Sequence, residues 1–177
     1  SLMAVFFASG ACSLVYQVVW SRLLALRLGN TTEAQTVVIT CFMGGLALGY
    51  ALLGPVGDRC QRPTRLYAGL ELGITAWSAA SPWLIDGLGA AISNTWLLAA
   101  LVLVPPTLLM GGTLPVLAAA LVRGGYSPPG ALVARLYAVN SLGAVVGVLG
   151  SGFLALEALG LKATLWWACA LNLGLAL

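Results

Sequence analysis

One acidic side chain, Glu71, lies within an apolar stretch and is the first candidate for a functional group. It stands about 9 Å from the charged start of its helix, at about 1.5 Å per residue. An ionised carboxylate at that depth in a bilayer is costly unless it is paired or hydrated, so such residues usually mark functional sites. We expect Glu71 to bind a substrate and to pair with Arg135 or Tyr137, or with Gln17 or Asn140 deeper in the membrane. The alternative is a protonated or hydrogen-bonded packing residue.

Two amides and three aromatic residues are further candidates for ligand contact. Gln17 and Asn140 lie in apolar stretches, where amides usually hydrogen-bond between helices. Tyr16, Trp20 and Tyr137 can supply ring faces for a cationic ligand, although core packing and interfacial anchoring also explain such residues. These five residues and Glu71 form the predicted substrate site.

A basic loop is the sharpest motif in the sequence. Gly54 is followed four residues later by Asp58-Arg59 and then by further basic residues. This spacing resembles the signature between the second and third helices of major facilitator transporters. We interpret it as a cytoplasmic gate, because an aspartate at a helix end can pair with arginines and hold one conformation. The alternative is that the arginines only mark the cytoplasmic side. The gate residues are Gly54, Asp58, Arg59, Arg62 and Arg65.

A proline-rich stretch interrupts the fourth apolar segment. Each internal proline removes one backbone hydrogen bond, so this helix is predicted to be kinked or broken at membrane depth. Transporters use such breaks as hinges or binding sites. A simpler possibility is that Thr107 and Thr113 bond the freed carbonyl groups. The predicted hinge comprises Pro105, Pro106, Gly111, Gly112 and Pro115.

The composition identifies the class of protein that must position these residues. Of the 177 residues, 60% are hydrophobic and 7% are charged, which excludes an ordinary soluble domain. A span needs about 20 apolar residues, so we predict an all-α polytopic membrane protein with six transmembrane helices in a single domain. The predicted spans are about 2–28, 33–57, 63–83, 96–122, 131–156 and 161–177.

The same composition excludes most chemistry within the chain. The sequence contains no histidine, and its four cysteines show no metal-ligand spacing, so no catalytic residue, metal site or cofactor is predicted. A net charge of +3 is too small to indicate a nucleic-acid partner. The partner expected from composition is the lipid bilayer.

Arginine and lysine counts predict the orientation of the spans. Five basic residues fall at the ends that share a side with the N-terminus and three fall at the opposite ends, which favours a cytoplasmic N-terminus and a cytoplasmic C-terminus.

Small residues predict where helices approach closely. Gly45 and Gly49 share one face of the second span, and Gly143, Gly147 and Ser151 share one face of the fifth.

A short internal similarity suggests a repeat. Residues 70–73 read Leu-Glu-Leu-Gly in span 3, and residues 171–174 read Leu-Asn-Leu-Gly in span 6. This pattern is typical of a 3+3 inverted repeat, as in each half of the major facilitator fold. We therefore expect the domain to resemble half of that fold.

With these motifs in order, the chain resembles the membrane portion of the bacterial membrane-bound spermidine synthase family. This resemblance implies a longer parent protein, in which a cytosolic aminopropyltransferase domain follows the last span. It also implies a homodimer in the bacterial inner membrane and a small cationic ligand such as a polyamine. The matching blocks are residues 13–24, 29–32, 42–49, 58–63, 70–73, 105–115 and 135–144.

Two functions remain open from the sequence. In the first, the domain is transporter-like and passes a small cationic substrate. In the second, it is a non-transporting anchor and dimerisation domain for the aminopropyltransferase. A cavity distinguishes them, because solid packing around Glu71 and Asn140 favours the anchor.

Overall fold

The computed structural model describes residues 2–29, 32–126 and 128–176. These residues form helices joined by short connections and contain no strand. The first four helices are α1 (Leu2–Leu28), α2 (Thr32–Arg59), α3 (Pro63–Ala91) and α4 (Thr95–Arg123). Helix α3 thus extends to Ala91, beyond the predicted end at residue 83.

The C-terminal part of the chain, Pro129–Ala176, is a helical stretch of 48 residues that is kinked at Gly160. It consists of α5 (Pro129–Gly150), a π-helical segment (Ser151–Ala155) and α6 (Leu156–Ala176). Gly160 interrupts the helical geometry of α6 with φ 77° and ψ 174°. A side chain would be strained at this positive φ, so glycine suits the position.

The prediction of six transmembrane helices is wrong. The described residues form five helical stretches, and four are long and apolar enough to cross a membrane: Leu2–Arg27, Thr32–Arg59, Thr95–Arg123 and Pro129–Ala176. The glycine and lysine near residue 160 suggested two spans; the backbone is kinked at Gly160, but Pro129–Ala176 counts as one of the four stretches. Helix α3 is not among these four. The predicted half-facilitator architecture with a 3+3 repeat required six spans, so that prediction is wrong as well.

Helices α2 and α4 pack with their backbones in direct contact. A Cβ atom added to Gly49 would lie 1.9 Å from the carbonyl oxygen of Leu108, and one added to Gly111 would lie 2.1 Å from that of Leu46. Only hydrogen fits at either position. The predicted close approach at the glycine face of α2 is therefore confirmed.

Helices α1 and α5 form a second interface of the same kind. A Cβ atom on Gly143 would lie 1.9 Å from the carbonyl oxygen of Phe7, and one on Gly147 would lie 2.3 Å from that of Ala11. The small-residue face predicted on the fifth span is thus an intramolecular packing surface. Helix α3 contacts α4 and α6, and α6 also contacts α1.

The prolines do not break helix α4, which runs without interruption from Thr95 to Arg123. Pro106 has no N–H group, so the carbonyl of Val102 loses its usual donor. The indole Nε1 of Trp77, on α3, donates to that carbonyl at 2.9 Å. A neighbouring helix therefore supplies the hydrogen bond that the proline removes, which is how interrupted helices persist in apolar surroundings.

Candidate functional site

The central candidate, Glu71, lies in the middle of helix α3 with its side chain completely buried. The hydroxyl of Ser9, on α1, donates a hydrogen bond to Glu71 Oε1 at 2.7 Å. Ser9 is itself buried. The carboxyl group thus connects two helices through a bond shielded from solvent.

Helix α6 reaches the same place through Asn172. The amide Nδ2 of Asn172 donates to the backbone carbonyl of Glu71 at 3.1 Å and to Thr75 Oγ1 at 3.0 Å. The Thr75 hydroxyl donates in turn to the Glu71 carbonyl at 2.8 Å. We call Ser9, Tyr67, Glu71, Thr75 and Asn172 the buried polar cluster. It joins α1, α3 and α6.

Two atoms of the buried polar cluster, Glu71 Oε2 and the hydroxyl of Tyr67, make no hydrogen bond of standard geometry with the described residues. Tyr67 lies one helical turn earlier on α3, and the two side chains interact with each other. A buried polar group without a partner costs about 1–3 kcal/mol. The cluster therefore has unused hydrogen-bonding capacity inside an apolar core.

The buried polar cluster contains no counter-charge for Glu71. The ion pair that forms within the described ranges joins Arg27 Nη2 and Asp86 Oδ1, which are 2.6 Å apart and solvent-exposed, and it does not involve Glu71. Burying a carboxylate without a cation is strongly unfavourable. The surroundings of Glu71 therefore suit a neutral carboxylic acid, or an amide of the same shape, better than a carboxylate.

Five well-defined cavities lie in the described part of the chain, and none of these five is lined by Glu71, Gln17 or Asn140. The largest of the five has a volume of about 590 Å³ and lies between α2 and α4, near Asp58 and Arg123. The surroundings of Glu71 are filled by protein instead. Ile74 and Leu70 on either side of it are buried in the hydrophobic core.

The other predicted substrate residues do not converge on Glu71. Tyr16 and Trp20 are buried and stack on each other with ring centroids 5.6 Å apart. Tyr137 is 63% exposed. Gln17 and Asn140 are half-buried, and their side chains make no hydrogen bond to another described residue. These five residues are therefore spread over the core and the outer surface.

The expected partners of Glu71 also differ from the observed ones. Arg135 and Tyr137 are exposed, whereas Ser9 and Asn172 make the contacts. A signal for Asn172 was present in the sequence, because it occupies the position in Leu-Asn-Leu-Gly that Glu71 occupies in Leu-Glu-Leu-Gly. Ser9 is an ordinary serine in an apolar helix and carries no such signal.

The segment that carries the predicted gate accepts hydrogen bonds from a residue outside the motif. Arg123, the last residue of α4, donates from Nη1 to the backbone carbonyl of Cys60 and from Nη2 to that of Asp58. The carbonyl groups at a helix C-terminus lack intrahelical donors, so Arg123 satisfies the end of α2. The charged gate residues Asp58, Arg59, Arg62 and Arg65 are exposed, and no ion pair forms between them. A Cβ atom on Gly54 would have ordinary contact with Pro115, at 3.8 Å.

The predicted hinge residues lie within the continuous helix α4 and face its neighbours. Pro106 and Gly112 are buried, and Pro105, Gly111 and Pro115 are half-buried. Gly111 and Gly112 pack directly against α2. Hinge motion at these residues stays a prediction.

The described residues contain no group of three or more side chains able to hold a metal ion. Comparisons of the chain with protein-family models, with curated proteins and with solved structures found no match. The four long apolar stretches indicate a membrane protein.

Proposed function

We propose that this chain is a non-transporting membrane domain that anchors and assembles a cytosolic aminopropyltransferase of the spermidine synthase type. The enzyme, its substrates and the family come from the sequence resemblance described above. The choice of anchor over transporter rests on one observation. The only acidic side chain in the core, among the described residues, is fully buried and lines none of the five cavities described above.

The contacts of the buried polar cluster support a structural role. Hydrogen bonds from Ser9 and Asn172 connect α1 and α6 to α3. Hydrogen bonds between membrane helices contribute about 0.6–2 kcal/mol each. In this proposal Glu71 fixes how three helices fit together and does not bind a passing substrate.

A transport assay tests the proposal directly. The protein, reconstituted in proteoliposomes, is expected to accumulate no more labelled spermidine or putrescine than protein-free vesicles. Glu71→Gln keeps the shape of the side chain and serves as the matched variant. Saturable uptake by the unaltered chain that disappears in Glu71→Gln would overturn the anchor proposal.

The proposed orientation places both termini in the cytoplasm of a bacterial inner membrane. Five basic residues at one end of the helices against three at the other support it. A fluorescent protein and a periplasmic phosphatase, each fused at the C-terminus, report the side. Phosphatase activity from the fusion would contradict this orientation and remove the cytosolic placement of the enzyme.

The proposed homodimer uses the outer face of α2. Gly44 lies on this face, and a Cβ atom added there would meet nothing within 4 Å. The face also carries Thr40 and Ala47, which are exposed small residues at helical spacing. Small residues let a second helix approach closely. Gly44→Leu is expected to abolish cross-linked dimers, while Gly69→Leu, equally open but on α3, leaves them. Equal dimer yields would refute this interface.

A transporter for a small cation is the second candidate, and one observation favours it. Glu71 Oε2 and the Tyr67 hydroxyl are buried, interact with each other, and make no hydrogen bond of standard geometry with the described residues. Such a pair can accept a cation or water in a conformation where α1 or α6 moves away. Spermidine-dependent uptake in the assay above would select this function.

A further inference from the structure

The two ends of the helix bundle differ strongly in charge. The end formed by the α2–α3 and α4–α5 connections carries five arginines and one aspartate, Asp58. At the other end three basic residues accompany three acidic ones, including the paired Arg27 and Asp86. Nearly all of the excess positive charge therefore lies at one end. We call Arg59, Arg62, Arg65, Arg123 and Arg135 the arginine end.

Most of these arginines are available to a ligand. Arg59, Arg62, Arg65 and Arg135 are exposed and make no ion pair within the described ranges. Arg123 uses one N–H group on each of two backbone carbonyls. A guanidinium group has five N–H donors, so Arg123 also keeps unused donors.

An apolar groove opens beside the arginine end. It has a volume of about 590 Å³ and runs between α2, α4 and α5, with Asp58 and Arg123 at its charged limit. Tyr50 marks the opposite limit, eight residues away along α2, or about 12 Å at 1.5 Å per residue. Alanine, proline, leucine and valine side chains form most of its walls. Its chemistry is thus apolar along its length and charged at one limit.

We propose that the arginine end binds an anionic phospholipid, with its phosphate at the arginines and one acyl chain along the groove. Charge complementarity selects the headgroup, because one aspartate leaves four arginines uncompensated. The helix ends also place these arginines at the depth of lipid headgroups, where basic clusters attract anionic lipids. The apolar groove favours a ligand with an acyl chain, because a soluble phosphate compound has no apolar part to fill it.

Lipid retention tests the proposal with two doubly substituted proteins. Arg59→Gln/Arg62→Gln removes two charges at the arginine end, and Arg22→Gln/Lys162→Gln removes two at the opposite end. Purified protein is exchanged between phosphatidylglycerol and phosphatidylcholine micelles, and the retained lipid is counted by native mass spectrometry. At about 1 kcal/mol per basic residue near the surface, the first variant is expected to bind phosphatidylglycerol about 30-fold more weakly. The second is expected to match the unaltered protein.

The groove is tested by filling it. Val133, on α5, lines the groove, and its exposed neighbour Ala134 does not. Val133→Trp is expected to reduce phosphatidylglycerol retention several-fold, and Ala134→Trp to leave it unchanged. Equal retention in these two variants would overturn the acyl-chain position.

Three other results would overturn the proposal as a whole. They are equal binding of the two lipids, equal losses in the two double variants, and full competition by soluble glycerol phosphate. The last result would identify free phosphate compounds as the ligand. If instead the unaltered protein excludes lipid from the groove by dimerising there, retention rises on dilution to monomer, and the occupant is a second copy of the chain.

Discussion

Gly49→Ala tests the backbone contact between α2 and α4, which the structure defines most sharply. The added Cβ atom would lie 1.9 Å from the carbonyl oxygen of Leu108. Carbon and oxygen atoms in ordinary contact are about 3.3 Å apart, so the helices must separate by about 1.4 Å. A backbone oxygen inside a helix cannot rotate away as a side chain can. The variant therefore has to open the interface.

The expected loss of stability follows from that separation. Overpacking a well-filled interface costs about 1–3 kcal/mol, and losing the close contacts along α2 and α4 places this substitution at the upper end. Glycine to alanine in a helix interior otherwise gains about 0.5–1 kcal/mol. We expect a net destabilisation of about 2 kcal/mol.

The assay compares Gly49→Ala with Gly69→Ala. A Cβ atom on Gly69 would meet nothing within 4 Å, so this control keeps the helix-propensity gain without the clash. Unfolding in mixed detergent micelles, followed by far-UV circular dichroism, gives the free energy of unfolding for each. Equal stability of the two variants would refute the packing that the structure shows between α2 and α4.

Three further substitutions test individual contacts. Trp77→Phe removes the donor to the Val102 carbonyl and is expected to lower the free energy of unfolding by about 1–2 kcal/mol, measured in the same assay; no change would mean that the carbonyl has another donor. Arg123→Met is expected to speed hydrogen exchange at the last turn of α2 and leave α1 unchanged, as read by mass spectrometry. Asp86→Asn breaks the exposed ion pair with Arg27 and is expected to cost less than about 1 kcal/mol; a larger loss would indicate that the pair is shielded.

Composition and local sequence patterns were sufficient to predict a helical membrane protein and several of its local features. The apolar stretches predicted helices, since a chain with so few charges must satisfy its backbone internally. Glycine spacing also predicted the close approach at Gly45 and Gly49, because small residues four apart leave a flat helix face. These inferences depend on residue type and short-range spacing, which the sequence states directly.

The partners of the key residues were decided only in three dimensions. Glu71 meets Ser9 and Asn172 because α1 and α6 both pack on α3, and no local pattern encodes which turn of each helix faces the carboxyl group. Trp77 satisfies a carbonyl freed by a proline on another helix for the same reason. Short-range preferences are weak compared with tertiary packing, so the sequence specified the helices and their packing decided the contacts.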